Sequence, residues 1–150
     1  MEKVDQHIAK QEKIFIVDDD VLTASLYQQH VLNLGYEDVA VFSEGLDCLN
    51  ALIQEPQIIF LDHQMDNLTG VETLRKIKRF NPDIYVVFVS GQEDIETAVK
   101  SLKYGAFDYI VKGEGDTDRI EAVLAKIDHV KELLTRKDPG FLRKLISVML

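Results

Sequence analysis

Five short apolar segments alternate along the chain with longer amphipathic segments, and this alternation constrains the fold more than any other feature. The five segments are too short to be helices, and most of them are apolar on both faces. Strands of this kind occur in parallel sheets whose two faces are both covered by helices. We therefore predict a doubly wound α/β fold with a five-stranded parallel sheet. The predicted strands are Ile14–Val17, Val39–Phe42, Ile58–Leu61, Ile84–Val89 and Phe107–Val111.

The segments between the strands have the spacing and the end signals of helices. Asp20 and Thr69 are predicted to cap the first and third helices, and Cys48 is predicted to be a small core residue in the second. The fourth and fifth helices are predicted at Asp94–Tyr104 and at about Asp116–Arg136. The predicted inward faces of the first two helices consist of Leu22, Leu26, Val31 and Leu34, and of Leu46, Leu49, Leu52 and Ile53.

The composition restricts the class of protein. A formal net charge of −9 disfavours direct contact with the phosphate backbone of nucleic acids. No apolar run approaches the roughly 20 residues that span a bilayer, and the polar N-terminus does not have the pattern of a secretory signal. The single cysteine allows no internal disulfide, which fits a reducing compartment. We therefore expect a cytoplasmic protein that binds neither nucleic acid nor membrane directly.

The chain divides into three predicted parts. Residues 1–12 form a polar N-terminal extension, residues 13–136 form the α/β domain, and residues 137–150 form a C-terminal amphipathic tail. No DNA-binding or catalytic output domain follows within these 150 residues, so we expect this chain to act through protein contacts or as a relay. An apolar stripe in the tail is predicted to pack back on the domain or to contact a partner or a second copy. Its residues are Phe141, Leu142, Leu145, Ile146 and Met149.

Charged and polar residues follow four of the five predicted strands. Asp18 and Asp19 follow the first strand, Asp62 the third, Ser90 the fourth and Lys112 the fifth. In a doubly wound sheet, ligands bind beyond the carboxyl ends of the strands. If the first and third strands are neighbours, the three carboxylates converge, with a hydroxyl and an ammonium group beside them.

Convergent carboxylates repel one another unless a cation offsets their charge. Two unit charges about 5 Å apart repel by roughly 3 kcal/mol at an effective dielectric constant of about 20. Mg²⁺ accepts carboxylate, carbonyl and water ligands. An acidic metal site beside a lysine and a serine suits phosphoryl transfer, and a carboxylate can itself be the phosphoryl nucleophile. These residues therefore predict a Mg²⁺-dependent phosphoryl acceptor.

Four stretches, IFIVDDD, IIFLDHQMDNLTG, VVFVSG and YGAFDYIVKG, occur in this order at the ends of the first, third, fourth and fifth strands. Together they resemble the receiver domain of two-component response regulators over about residues 12–136. The resemblance implies a flavodoxin-like sheet with strand order 2-1-3-4-5. It also implies a signalling switch and not a separate enzyme. Such a domain takes phosphate from a phosphohistidine on a sensor histidine kinase or a histidine phosphotransfer protein, and it catalyses that transfer and its own dephosphorylation.

The resemblance implies which residues hold the metal and the phosphoryl group. Asp62 matches the phosphorylated aspartate, which is also a metal ligand. Asp18 and Asp19 match the acidic pair, with Asp19 the direct Mg²⁺ ligand and Asp18 acting partly through water. Gln64 matches the residue that offers its backbone carbonyl to the metal.

The resemblance also implies how the phosphorylated state is recognised. Ser90 and Lys112 match the residues that bind the phosphoryl oxygens, and Tyr109 matches the aromatic residue that turns inward when Ser90 moves. Phosphorylation is then expected to change a surface formed by the last two helices and the strand between them. That surface would bind a downstream protein or a second copy of the chain.

Three residues near the site need separate interpretations. Asp66 and Gly113 stand where the family usually has a proline. A cis peptide bond without proline costs about 3 kcal/mol, so a trans peptide bond is expected after Lys112. His63 is predicted to be an exposed loop residue, because no second His or Cys has metal-ligand spacing.

Two other functions remain open from the sequence. Asp18-Asp19-Asp20-Val21 fits the first motif of haloacid-dehalogenase-like phosphatases, with Asp18 as nucleophile and Asp20 as acid. That hypothesis assigns no task to Asp62 and needs a further acidic pair on a later strand. A receiver-like binding module that is never phosphorylated is the second alternative.

Overall fold

The computed structural model describes residues 10–65, 67–91, 95–135, 143 and 146–149. Strands and helices alternate along residues 14–135, and every predicted strand is confirmed to within one residue at each end. The strands are β1 (Ile14–Val17), β2 (Val39–Phe42), β3 (Ile58–Asp62), β4 (Tyr85–Ser90) and β5 (Asp108–Val111). The helices are α1 (Val21–Asn33), α2 (Gly45–Asn50), α3 (Gly70–Phe80), α4 (Ile95–Lys103) and α5 (Asp116–Thr135).

The strands form one parallel sheet in the order β2-β1-β3-β4-β5, which confirms the predicted fold and strand order. Because the strands are parallel, their carboxyl ends lie at the same edge of the sheet. The direction of winding reverses between β1 and β3, where doubly wound sheets bind their ligands. Val17 of β1 is the register partner of Leu61 of β3, so the following residues, Asp18 and Asp62, are neighbours at this edge.

Alternate residues of each strand contribute to two hydrophobic cores, one on each face of the sheet. Ile14 and Ile16 of β1 pack on the face that α1 and α5 cover. Phe15 and Val17 of the same strand pack on the opposite face, against residues of α2 and α3. All four side chains are at most 1% exposed. Burial on both faces is the reason that the strands are apolar along their whole length.

The predicted buried face of α1 is wrong at two positions. Leu22 and Leu26 are 69% and 59% exposed. The residues that α1 buries are Ala24, Tyr27 and Val31. Both sets have helical spacing, so the pattern could not separate them. The short connection from β1 orients the helix, and the predicted cap is confirmed: the Asp20 carboxylate accepts a hydrogen bond from the Leu22 N–H.

The second helix is shorter than its apolar pattern predicts. It ends at Asn50, and the chain continues as a 3-10 turn at Leu52–Gln54. A 3-10 turn has about 3.0 residues per turn in place of 3.6, so it changes which later side chains face the core. Ile53 is therefore exposed, against the prediction. Leu46, in the first turn of α2, is also exposed, against the prediction, whereas Cys48 is fully buried as predicted.

The two ends of the chain are described only in part. Glu12 is tied to α5 by an ion pair of 3.0 Å with Lys131. Ile146 and Met149 lie in a helical segment and are 55% and 83% exposed. Residues 1–9, 66, 92–94, 136–142, 144, 145 and 150, which include Asp94, Arg136, Phe141, Leu142 and Leu145, lie outside the described residues. Among the described helices, none combines the length and the apolar character needed to cross a membrane.

The orientation of α1 predicts contrasting effects of two substitutions. Val31→Ala should lower the free energy of unfolding by about 2 kcal/mol, because it removes buried apolar groups and leaves a cavity. Leu22→Ala should change it by about 0.5 kcal/mol or less, because that side chain is mostly in solvent. Urea unfolding measures both. Equal losses in the two variants would contradict this orientation of the helix.

Candidate functional site

Three carboxylates meet at the carboxyl edge of the sheet. Asp18 directly follows β1, and Asp62 is the last residue of the neighbouring strand β3. One oxygen from each of Asp18, Asp19 and Asp62 lies within 4.8 Å of the other two. Asp18 and Asp62 are each only 3% exposed, whereas Asp19 is exposed. The predicted convergence of these three residues is therefore observed.

The ammonium group of Lys112 lies between the two buried carboxylates. Its Nζ is 2.7 Å from Asp18 Oδ2 and 3.2 Å from Asp62 Oδ1. The lysine follows β5, and its backbone N–H donates a 2.8 Å hydrogen bond to the carbonyl of Ser90 at the end of β4. The edge strand β5 therefore brings the positive charge to the acidic residues of β1 and β3.

Burial and mutual repulsion change the ionisation of the site. Burial, together with the neighbouring Asp18 charge, raises the pKa of Asp62 to about 6, although Lys112 and a backbone hydrogen bond from Gln64 oppose the rise. Burial alone would lower the pKa of Lys112, but its hydrogen bond to Asp18 and the charges of Asp62 and Asp18 raise it overall. Lys112 therefore stays protonated, and Asp62 loses its proton less readily than an exposed aspartate does.

The donor set fits a hard divalent cation. Both oxygens of Asp18 are engaged, since Oδ2 contacts Lys112 and Oδ1 accepts the backbone N–H of Asp20 at 2.9 Å. Asp19, Asp62 and Gln64 line an open cleft beside the cluster. The cleft thus offers the exposed carboxylate of Asp19 and the nearly buried one of Asp62, and Mg²⁺ favours such oxygen ligands together with water.

Ser90 and Tyr109 lie on the neighbouring strands β4 and β5. Ser90 is 2% exposed at the end of β4. Tyr109 of β5 is half-buried, and its ring stacks on Phe88 with a centroid distance of 6.0 Å. The ring of His63 contacts the same phenylalanine at 5.5 Å, and the side chain is half-buried. His63 was predicted to be an exposed loop residue. It lies in the loop after β3, but its side chain is half-buried because it packs against the Phe88 ring.

Asp20 does not join the carboxylate cluster. It is exposed, and besides capping α1 its carboxylate accepts a hydrogen bond from the Thr23 hydroxyl at 2.9 Å. The peptide bond after Lys112 is trans, as expected, and Gly113 adopts a φ of +129°. Proline, whose φ is close to −65°, could not adopt that conformation. Asp66 lies outside the described residues.

Gly70 is a site residue that the sequence analysis missed. A Cβ atom at this position would lie 2.5 Å from the carbonyl oxygen of Asp62 and 2.7 Å from the Cα of His63. The first turn of α3 therefore packs directly against the backbone that carries Asp62, and the Gly70 N–H donates to the His63 carbonyl at 3.0 Å. The Thr69-Gly70 pair at the start of a helix was the available signal, but it identified only the helix cap.

The family is decided by comparison with known proteins. A family model described as the response regulator receiver domain matches residues 14–125. The chain belongs to this family. The transcriptional regulatory protein ZraR of Klebsiella oxytoca is 34% identical over 118 residues, which cover 78% of this chain and 26% of that protein. The chain thus spans about a quarter of the length of the curated relatives that it matches.

Solved receiver domains have the same fold. A CheY-like receiver domain protein from Methanospirillum hungatei JF-1 matches with a TM-score of 0.74 and 27% identity, over 82% of this chain and 98% of that one. The receiver domain of NtrX from Brucella abortus matches with a TM-score of 0.70 and 32% identity, over 76% and 96% of the two chains. Receiver domains are the signalling domains of two-component response regulators, so the resemblance inferred from the four sequence stretches is confirmed.

The raised pKa of Asp62 predicts how stability depends on pH in the absence of Mg²⁺. Its contribution to stability is fully present below pH 3.8 and is lost as pH rises through about 6. The loss amounts to about 3 kcal/mol, since one pKa unit corresponds to about 1.4 kcal/mol. Asp62→Asn should therefore stabilise the receiver domain by about 3 kcal/mol at pH 7.5 but by only about 1 kcal/mol at pH 4.5, where most of the loss has not yet occurred.

Urea unfolding in EDTA at the two pH values measures this difference. Asp47→Asn, which alters an exposed aspartate on α2, is the matched control and should give no such dependence. A stability difference between wild type and Asp62→Asn that is the same at both pH values would contradict the raised pKa.

Proposed function

We propose that this receiver domain is a phosphorylation-dependent switch that accepts a phosphoryl group on Asp62 in a Mg²⁺-dependent reaction. The donor is a phosphohistidine of a sensor histidine kinase or a histidine phosphotransfer protein. The observation that carries the proposal is the position of Asp62, which stands in contact with Lys112, within 4.8 Å of two other carboxylates, and beside an open cleft. Its proposed location is the cytoplasm, as expected from the single cysteine and the acidic composition.

The carboxylate of Asp62 is the proposed nucleophile. One of its oxygens attacks the phosphorus of the phosphohistidine, so that an O–P bond forms while the P–N bond breaks. The imidazole leaves with the electron pair of that bond and takes up a proton. Asp62 is ionised above about pH 6, so it can act as the nucleophile at neutral pH. Lys112 stabilises the charge that develops on the phosphoryl oxygens.

Asp19, Asp62 and the backbone carbonyl of Gln64 are the proposed Mg²⁺ ligands. Mg²⁺ held by these groups would neutralise negative charge on the carboxylates and on the phosphoryl group. Asp18 contributes less directly, because its two oxygens already bind Lys112 and the Asp20 N–H. We assign Asp18 the task of orienting Lys112 and of contacting the metal through water.

Ser90 and Tyr109 are the proposed switch residues, and α4 carries the surface that responds. The residues that α4 buries are small and polar, Thr97 and Ser101. Its outer face instead carries Ile95, Val99 and Leu102, which are 81%, 58% and 51% exposed. Exposed apolar stripes of this kind occur at protein contacts. The stripe supports the proposal that a downstream protein, or a second copy of the chain, binds there.

The alternative of a haloacid-dehalogenase-like phosphatase is disfavoured by the role of Asp20. That mechanism requires Asp20 as an acid beside Asp18, but its side chain is an exposed helix cap. Among the described residues, the segment after Lys112 leads into α5 and supplies no later strand with an acidic pair. The binding module that is never phosphorylated differs from the present proposal only in the chemistry of Asp62, so the next experiment separates the two.

Incubation with acetyl phosphate and Mg²⁺ should increase the intact mass by one phosphoryl group. Asp62→Asn should abolish the increase, because the amide is not a nucleophile, and omission of Mg²⁺ should strongly reduce it. Asp47→Asn should behave as wild type. An equal mass increase in Asp62→Asn would refute the assignment, and no increase in the wild type would favour the unphosphorylated binding module.

The geometry also predicts an order of Mg²⁺ affinities, which calorimetric titration measures. Asp18→Asn should weaken binding by about tenfold, as is typical when a group outside the first coordination sphere is altered. Asp19→Asn should weaken it more, because a direct ligand is lost. The opposite order would show that Asp18 is the principal ligand.

A further inference from the structure

The loop that carries Lys112 is rich in glycine. Gly113 and Gly115 occupy two of the three positions between Lys112 and α5, and both have a positive φ, of +129° and +81°. A Cβ atom added at Gly113 would meet no other atom within 4 Å. Side-chain packing therefore does not fix this loop, although the ammonium group of Lys112 must stay close to Asp18 and Asp62. Some other interaction has to restrict it.

A hydrogen-bonded link between α1 and the start of α5 supplies that restriction. The hydroxyl of Tyr27 donates to Asp116 Oδ2 at 2.6 Å. The same oxygen accepts the backbone N–H of Gly113 at 3.3 Å, and the Asp116 N–H donates to the Gly113 carbonyl at 3.1 Å. Asp116 thus joins the residue that follows Lys112 to a tyrosine on a different helix.

The tyrosine end of this link is rigid. Tyr27 is 3% exposed and belongs to the core between α1 and the sheet. Burial and the hydrogen bond to Asp116 raise its pKa, so the hydroxyl keeps its proton and remains a donor. Other hydrogen bonds hold the chain on either side of Gly113. The Lys112 N–H donates to the Ser90 carbonyl, Arg119 Nη1 donates to the Val111 carbonyl, and the Arg119 N–H donates to the Gly115 carbonyl. Only the link through Asp116 reaches Gly113 among the hydrogen bonds of the described residues.

We propose that Tyr27 and Asp116 are positioning residues for phosphoryl transfer, which hold the Gly113 peptide and thereby keep Lys112 in contact with Asp18 and Asp62. A cleft lined by Tyr27, Lys112, Gly113 and Asp116 separates the loop from α1, so the hydrogen bonds cross a space that packing does not fill. This inference rests on the proposed function, because Lys112 is assigned there to the phosphoryl oxygens.

The test compares rate constants for phosphorylation by acetyl phosphate with Mg²⁺, and affinities for beryllofluoride with Mg²⁺. Tyr27→Phe keeps the buried ring and removes only the donor, and Asp116→Asn weakens the acceptor. Each should lower both quantities by about tenfold, as expected for the loss of a hydrogen bond to a charged group. Tyr36→Phe is the matched control. Tyr36 is 1% exposed, and its hydroxyl has no hydrogen-bond partner among the described residues, so that variant should behave as wild type.

The same substitution in a Lys112→Ala background separates positioning from general stability. If Tyr27 acts through Lys112, Tyr27→Phe should have no further effect on the residual rate or on the beryllofluoride affinity once the lysine is absent. A further tenfold loss in that background would overturn the proposal even if the variant is less stable, and so would an unchanged rate for Tyr27→Phe alone.

Hydrogen exchange at the Gly113 amide tests the link apart from phosphorylation. Its exchange should be faster in Tyr27→Phe than in wild type, whereas Tyr36→Phe should leave it unchanged. A wild-type protein that takes no phosphoryl group would defeat the proposed function but would leave this measurement intact. Unchanged exchange in Tyr27→Phe would then overturn the link itself.

Discussion

The ammonium group of Lys112 between the carboxylates of Asp18 and Asp62 is the interaction on which the site depends. Two nearly buried carboxylates would repel each other strongly if no cation lay between them, so removal of the lysine from this buried cluster would be strongly destabilising. The cluster is nevertheless incompletely neutralised, since three carboxylates face one ammonium group. Burial and the Asp18 charge raise the pKa of Asp62 to about 6, and the excess of negative charge suits an additional cation.

The sheet supplies the rigid frame for this cluster. Asp18, Asp62, Ser90 and Lys112 each come from the end of a different strand. The order β2-β1-β3-β4-β5 places the acidic strands β1 and β3 side by side. Gly70 then lets α3 pack against the backbone of Asp62. The loop after Lys112 is held differently, because Gly113 is hydrogen-bonded to Asp116 and a Cβ atom added there would meet no other atom within 4 Å. The residues of the site are therefore positioned by packing at β3 and by hydrogen bonds after β5.

Much of the fold and of the carboxylate cluster could be predicted, because strong local sequence patterns indicate both. The strands are doubly apolar, and the acidic residues stand directly at their ends. The errors arose where two interpretations had equal periodicity. In α1, Leu22 and Leu26 have the same helical spacing as the residues that are buried. The connection from β1 determines which of the two faces packs on the sheet. Ile53 was misjudged because the change to a 3-10 turn is not visible in an apolar pattern.

The sequence by itself determined the class of fold, the family and the identity of the acidic residues, because short-range patterns and chemically distinctive side chains specify them. The tertiary structure alone decided the features that depend on contacts between residues far apart in the sequence. Examples are the absence of room for a Cβ atom at Gly70, the contact of His63 with Phe88, and the hydrogen bond between Tyr27 and Asp116, which lie 89 residues apart. Such contacts are set by how helices pack on the sheet, and no local pattern encodes that geometry.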